Sequence, residues 1–391
     1  MNILHVIPAY IPAYRFGGPV RSVHDLCRKL VESGHAITVF TTNFDGVHVM
    51  DVPLNTPCDI DGVTVYYFSV DLPFFYFRSM GLKRKLKRTI EKFDLVHIHC
   101  IYVYTTFIAS RIAKKFNIPY VISPRGMLDG DSIKLKGTLK KKLYLGLVER
   151  STFSNAELIH YTSKDESAKS VFSKITKNVE IIFNGIDIER YQACEFDNLP
   201  DKYTSLKHKK IVLFLGRINY IKGLDILANA WPKVVSSFPD AQLIIAGPDN
   251  DNYKKDIVAI IKTLGVSDSV TFTGELDFED KVRFIKTSEM LVAPSYLESF
   301  GMSIVEAMAC SKPVIISNKV NIYPIIQKYD AGIVTSCDKD EVASAVINIF
   351  NNVKNSTIKG NNGNRLVCEN FALDATTEKM ILAYRNLINE D

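Results

Sequence analysis

The sequence predicts an α/β protein made of two Rossmann-like domains that face each other across a cleft. Short apolar runs alternate with longer amphipathic segments from end to end, and this rhythm occurs twice. Each half also opens the same way, with a strand, a glycine-bearing loop and a helix. The length of 391 residues agrees, because it exceeds one ordinary core at roughly 100–200 residues per domain.

In the first half the expected strands are Ile3–Ile7, Ile37–Thr41, Val63–Phe68, Leu95–Ile98, Tyr120–Ser123 and Leu158–Thr162. Between the first two, Val20, Val23, Leu26, Cys27, Leu30 and Val31 recur at helical spacing, and Gly34 closes the helix as a C-cap. In the second half the strands are Ile211–Leu215, Leu243–Ala246, Val270–Thr273, Met290–Ala293, Val314–Ser317 and Gly332–Thr335, with helices such as Asp256–Leu264 and Glu341–Phe350 between them. The polar segment Asn184–His208 lacks long periodicity and suits a hinge or linker. The expected domains are residues 1–185 and 186–375. A last helix within 376–391, centred on Thr376–Asn389, is free to pack on either. Ligands of open parallel sheets sit at the carboxyl ends of the strands, so the cleft is the expected site.

Composition narrows the function classes. With 47% hydrophobic and 23% charged residues the chain is globular, not disordered or collagen-like. A formal charge of +5, from 48 basic and 43 acidic residues, is too small for a dedicated nucleic-acid binder. Seven widely spaced cysteines without a CxxC argue against a disulfide framework or zinc ribbon and favour a reducing compartment. The opening MNILHVIPAY reads as a strand, not a signal peptide, and Leu95–Ser110 is too short and too polar to cross a membrane. A soluble cytoplasmic protein is the expectation.

Two constellations carry chemistry. In Pro294-Ser-Tyr-Leu-Glu298-Ser-Phe300-Gly301-Met302-Ser303-Ile-Val-Glu306, a buried strand gives way to a short loop and then to a helix starting near Gly301. Backbone N–H groups of Gly301, Met302 and Ser303 at that N-terminus, beside the positive end of the helix dipole, suit a phosphate. Glu298 precedes the terminus and Glu306 is expected about two turns into the helix. One carboxylate could take hydrogen bonds from a transferred sugar and the other from a nucleoside ribose. The second constellation, Leu215-Gly216-Arg217-Ile-Asn-Tyr-Ile-Lys222-Gly223, follows the first strand of the same half. Gly216 allows close approach of a ligand to the backbone, while Arg217 and Lys222 suit phosphate oxygens and could stabilise charge growing on a leaving diphosphate. Read singly, these residues also fit solvated loop and helix positions.

Together, Gly216-Arg217…Lys222-Gly223 and Glu298-Ser-Phe-Gly…Glu306 resemble the donor site of the family 4 glycosyltransferases, retaining enzymes of the GT-B fold. Phe16-Gly17-Gly18-Pro19 and Asn184-Gly185-Ile186-Asp187 extend the resemblance over nearly the whole chain. It implies a metal-independent hexosyltransferase that uses a nucleotide diphosphate sugar, with a UDP- or GDP-sugar foremost, and needs no other cofactor. Arg217 and Lys222 would clamp the diphosphate, Glu298 would contact the sugar with the backbone of Phe300 to Ser303, and Glu306 would hold the ribose. Gly17 and Gly18 would approach the diphosphate, and Thr273-Gly274-Glu275-Leu276 would meet the base through backbone. The acceptor implied is a glycan or polyprenyl-linked glycan, as in bacterial surface polysaccharide or glycoconjugate synthesis.

One departure stands out. Where many members of the family carry a histidine, this chain reads Ile122-Ser123-Pro124-Arg125-Gly126. Arg125 or His99 is the candidate for the electrostatic role, and His97 and His99 are expected on opposite faces of their strand, one of them a core residue. A departing phosphate oxygen could itself take the acceptor's proton, so no strong protein base is required. Leu72-Pro73-Phe74-Phe75-Tyr76-Phe77, the run Lys83–Arg88, and Lys134, Lys136 and Lys140–Lys142 fit either an anionic membrane surface or a solvated face. A nicotinamide dehydrogenase and a P-loop enzyme lack their motifs here. A non-hydrolysing nucleotide-sugar epimerase of the same fold, or a catalytically silent sugar-nucleotide-binding protein, are the alternatives.

Overall fold

Two mainly parallel sheets organise the protein in a computed structural model that describes residues 1–128, 144–172, 178–194, 198–249 and 251–388. The lysines at 134, 136 and 140–142 lie outside the described residues. The chain divides into two units: Met1–Gly185 joined by the last helix, and Ile186–Ala372.

The first unit contains β1 (Asn2–Val6), β2 (Ala36–Thr42), β3 (Pro57–Ile60), β4 (Val63–Phe68), β5 (Leu95–His99), β6 (Tyr120–Ser123), β7 (Leu158–Tyr161) and β8 (Val179–Ile181). Their order is β3-β4-β2-β1-β5-β6-β7-β8, parallel except for β3 against β4. The expected strands are all present, and β3 and β8 add to them. The Asp61-Gly62 pair turns β3 into β4 with both residues at positive φ (53° and 80°), the geometry that a two-residue hairpin needs. Helix α1 (Gly18–Glu32) has Pro19 in its first turn and buries Val20, Val23, Leu26, Cys27 and Leu30 on one face, and Gly34 follows at φ 85°. Helices α2 (Met80–Thr89) and α3 (Tyr104–Lys115) pack together and contribute to the sheet's second apolar layer.

The second unit is parallel throughout: β9 (Lys210–Leu215), β10 (Ala241–Ala246), β11 (Val270–Gly274), β12 (Met290–Ala293), β13 (Val314–Ser317) and β14 (Gly332–Thr335) lie in the order β11-β10-β9-β12-β13-β14. Its main helices are α4 (Leu224–Ser237), α5 (Lys254–Thr263), α6 (Phe278–Thr287), α7 (Met302–Ala309), α8 (Lys339–Asn351) and α9 (Val353–Asn370). Trp231 of α4 is fully buried in a core that includes Val212, Leu243 and Val292, and its indole N–H donates to Ser269 Oγ at 2.9 Å. The described residues of the Asn184–His208 segment are not all irregular. They include a helical turn at Ile188–Gln192, which Asp187 caps, and a 3₁₀ segment at Asp201–Leu206.

The last helix, α10 (Leu373–Ile388), packs on α1 of the first unit and buries Met380, Ala383 and Tyr384 there. Its approach is close: a Cβ on Gly185 would meet Thr376 Oγ1 at 2.3 Å and Leu373 Cα at 2.8 Å. The Tyr384 hydroxyl lies 2.5 Å from His97 Nδ1 in the sheet. Because both groups are fully buried, Tyr384→Phe leaves the imidazole without that donor. We expect this substitution to cost about 1–3 kcal/mol of unfolding free energy, read as a lower urea midpoint at unchanged slope.

Candidate active site

The candidate donor site occupies the point where strand order reverses in the second unit. The chain runs outward from β9 to β10 on one side and reaches β12 on the other, so the loops leaving β9 and β12 sit side by side at the carboxyl edge. The β9 loop carries Gly216, Arg217 and Lys222, and the β12 loop carries Glu298. Lys222 Nζ donates to Glu298 Oε2, an ion pair in which both side chains keep limited exposure (20% and 16%).

Local structure fixes both partners. Asn219 Oδ1 accepts from Ile221 N at 2.9 Å and caps the 3₁₀ turn Tyr220–Lys222. Tyr296 N donates to Ile221 O at 2.8 Å, which ties one loop to the other. Gly223 is at φ 69°, and a Cβ there would lie 2.1 Å from Pro294 O, so only glycine permits this approach. Glu298 is held through its backbone, donating to Lys319 O at 3.2 Å and accepting from Asn321 N at 2.9 Å.

Gly216 differs from Gly223. A Cβ on it would touch only the Phe214 ring, at 3.9 Å, so the fold itself leaves this position open. Arg217 is half-buried and has no side-chain partner among the described residues. Gly301 (φ 81°) caps α7, whose Ile304 and Val305 N–H groups donate to Gly301 O. Among the described residues the N–H groups of Met302 and Ser303 have no acceptor. Phe300 is buried with its ring 5.4 Å from that of Phe371. Gly274 ends β11 at the sheet edge with open space around it, and Leu276 beyond it is buried.

Glu306 is placed differently from the sequence reading. It lies little more than one turn into α7, not two, and it is buried at 7% exposure. Its Oε1 accepts from Lys281 Nζ at 2.7 Å and from the Tyr191 hydroxyl at 2.8 Å, and Lys281 Nζ also reaches Tyr191 at 2.9 Å. Lys281 comes from α6 and Tyr191 from the turn at Ile188–Gln192. Sequence reasoning missed both. Only the apolar face of α6, on which a lysine takes a buried position, hinted at Lys281.

The first unit gathers its candidates at the carboxyl ends of β1, β5 and β6. His97 and His99 share one face, with ring centroids 4.1 Å apart, contrary to the expectation of opposite faces. The reason is the period of two: residues i and i+2 of a strand point the same way. Two hydrogen-bonded chains result. His160 Nε2 donates to Ile182 O at 2.8 Å, so His160 Nδ1 accepts from Ser123 Oγ (2.7 Å), Ser123 accepts from His97 Nε2 (2.6 Å), and His97 Nδ1 accepts from Tyr384. In the second chain Arg125 Nη2 donates to His99 Nδ1 at 3.2 Å and His99 Nε2 to His5 Nδ1 at 3.0 Å. Arg125 Nη1 donates to Asn184 Oδ1 at 2.5 Å. Gly17, at φ 72°, caps α1, and Gly18 is its first residue.

His5, His97 and His99 each place a ring nitrogen within 4.8 Å of the others, the spacing of a metal site. Hydrogen bonds already engage both nitrogens of His97 and of His99, and the Arg125 guanidinium lies against His99, so the trio reads as a hydrogen-bonded cluster. All seven cysteines carry free thiols. Among the described residues no helix is long and apolar enough to cross a membrane.

Two Rossmann-like units, with a cation-bearing glycine loop beside a glutamate loop at a helix N-terminus, define a GT-B glycosyltransferase. The model of Glycosyltransferase Family 4 matches residues 16–190 and that of Glycosyl transferases group 1 matches residues 195–365, and the chain belongs to this family. An uncharacterized glycosyltransferase of Methanocaldococcus jannaschii is 27% identical over 98% of both chains. N-acetyl-alpha-D-glucosaminyl L-malate synthase of Bacillus anthracis is 24% identical over 94% of this chain and 93% of its own. The fold also matches that of the Anabaena protein HepE, solved in complex with UDP and glucose, with a TM-score of 0.78 and 17% identity over 99% of this chain and 100% of the other.

The buried histidines make stability depend on pH. Burial, then the Arg125 charge, pushes His5 and His160 down to about 3. Burial and the neighbouring rings and guanidinium push His97 and His99 well below the ordinary value. With folded values below the unfolded value of about 6.5, the unfolded chain takes up protons first, so stability is full above pH 6.5 and is lost as pH falls below it. Each histidine contributes a loss of up to about 1.4 kcal/mol per pH unit. Urea midpoints measured from pH 8 to pH 5 should fall below pH 6.5, and a flat profile would contradict neutral buried imidazoles.

Proposed function

We propose that this chain moves a hexose-type sugar from a nucleotide diphosphate sugar to a glycan or lipid-linked glycan acceptor, with retained anomeric configuration and without a metal, in bacterial surface polysaccharide or glycoconjugate synthesis. The carrying observation is the Lys222–Glu298 pair, with Arg217 on the same loop as Lys222 and the α7 N-terminus just beyond Glu298. An arriving diphosphate gives Lys222 a doubly charged partner and recruits Arg217, whose fork has no other acceptor among the described residues. Glu298, released from Lys222, then accepts hydrogen bonds from sugar hydroxyls. The free N–H groups of Met302 and Ser303 add donors where negative charge grows.

In the transfer step, the bond between the anomeric carbon and the leaving phosphate oxygen breaks and one from the acceptor hydroxyl oxygen forms on the same face. The hydroxyl proton passes to the departing phosphate oxygen. Arg217 and Lys222 hold the negative charge that the phosphate retains. UDP-sugars are the first donors to test, because the Anabaena neighbour was solved with UDP, and GDP-sugars the second. L-malate belongs among the acceptors to test, since it stands in the name of the Bacillus anthracis relative.

Lys222→Ala and Glu298→Ala should each lower the rate of sugar transfer by about 10²–10³-fold with unchanged circular dichroism. Full activity in either folded variant removes this site. A donor-only incubation that returns an altered free nucleotide sugar would replace transfer by epimerisation.

A peripheral position on an anionic membrane also belongs to this reading. Leu72, Pro73, Phe74 and Phe75 are consecutively exposed, Phe75 at 80% and Leu72 at 70%, and the α2 helix beside them presents Arg84, Lys87 and Arg88 to solvent. Apolar side chains next to cations match a lipid interface with acidic headgroups. In flotation assays the protein should rise with vesicles containing phosphatidylglycerol and not with phosphatidylcholine alone, and Phe75→Ser should weaken the association. Equal behaviour on both vesicles rejects the membrane face.

A further inference from the structure

Arg125 is 9% exposed, yet among the described residues no carboxylate forms an ion pair with it. Glu166, whose charge acts on Arg125, is committed elsewhere: it accepts from Gly126 N at 2.5 Å and from Thr162 N and Oγ1 at 2.7 and 2.6 Å. The partners that Arg125 does have, Asn184 and a neutral His99, carry no charge. Its Nε–H has no acceptor among the described residues. An uncompensated cation removed from water is costly, and here it is held with its backbone in the left-handed region at φ 54°, next to Gly126 at φ 80°.

A second orphan donor belongs to the same cluster. Because His99 donates to His5 Nδ1, the proton of the neutral His5 ring sits on Nε2, and that fully buried nitrogen also has no partner among the described residues. Arg125 follows the carboxyl end of β6, and His99 and His5 stand at or next to the carboxyl ends of β5 and β1, the edge at which open parallel sheets bind ligands. An unbalanced positive charge and two idle donors call for one kind of group, an anion with several acceptor oxygens.

We propose that Arg125, joined to His5 through His99, forms an oxyanion subsite of the first unit that binds a phosphate or carboxylate group. Its occupant comes either from the departing phosphate of a donor or from an acidic group on the acceptor. Arg125 neutralises the anion through its guanidinium edge, and the His99–His5 chain supplies a neutral donor that adds no further charge. The proposal stands apart from the transfer reading, because occupancy can be read without turnover.

The test is a titration of inorganic phosphate into protein labelled with ¹⁵N-histidine, following the ring nitrogens of His5 and His99 at pH 7.5. Saturable shifts are expected in the wild type and in Arg217→Ala/Lys222→Ala, which lacks the proposed donor clamp. Arg125→Gln should weaken phosphate binding at least about tenfold, and Arg125→Lys, which keeps the charge, should retain it in weaker form. UDP then separates the sources. If UDP shifts the same signals and blocks phosphate, the occupant is the donor's phosphate; if phosphate still binds at saturating UDP, the subsite serves an acidic acceptor. No shift in the wild type, or an undiminished shift in folded Arg125→Gln, overturns the subsite. An inactive protein that shows the shift loses only the transfer reading.

Discussion

The ion pair between Lys222 and Glu298 joins loops separated by 76 positions in the chain, and the rest of the candidate donor site is arranged around it. Neither loop could reach the other unless β9 and β12 were neighbours, and they are neighbours because strand order reverses at β9. The pairing then depends on a close fit between backbones, with Gly223 against Pro294 and Tyr296 against Ile221. A cation and a carboxylate held this way stabilise each other while the site is empty. Under the proposed function, a diphosphate would give the lysine a more highly charged partner and leave the carboxylate to sugar hydroxyls.

Glu306 follows the same logic one step deeper. A carboxylate at 7% exposure would lose most of its hydration, and Lys281 and Tyr191 replace it with two donors on one oxygen. These donors come from different elements, so the carboxylate's direction is set by the packing of α6 and the Ile188–Gln192 turn against α7. Any ribose contact made by Glu306 inherits that direction. The segment with the composition of a linker therefore supplies, through Tyr191, a structural partner for Glu306.

Periodicity made the strands legible, because buried parallel strands are continuous apolar runs bounded by polar turns. It missed β3, which is short and half exposed, although the Asp61-Gly62 pair signals a hairpin in the sequence itself. The glycine- and charge-bearing loops after β9 and β12 were legible as loops because their glycines and charges lie within short stretches of chain. What stayed hidden depended on contacts across the fold: Lys281 with Glu306, Tyr384 with His97, Arg125 with Asn184. The placement of His97 and His99 was within reach, since strand alternation sends residues two apart to the same face.

The two units treat buried charge in opposite ways. In the second, Lys222 with Glu298 and Lys281 with Glu306 pair each cation with an anion at contact distance. In the first, four histidines are kept neutral by burial: His97 and His160 lie in a chain whose protons run from Tyr384 to the Ile182 carbonyl, and His99 and His5 in a second chain that starts at Arg125. A neutral chain of this kind tolerates a neighbouring guanidinium without repelling it, which protonated imidazoles would not. Arg125 thus keeps its charge in an environment that offers hydrogen bonds but, among the described residues, no counter-ion. Had the residue served only to tie the Asn184 segment to the sheet, an uncharged amide could supply donors at far lower desolvation cost. The retained guanidinium is best accounted for by a negative group that arrives from outside the chain.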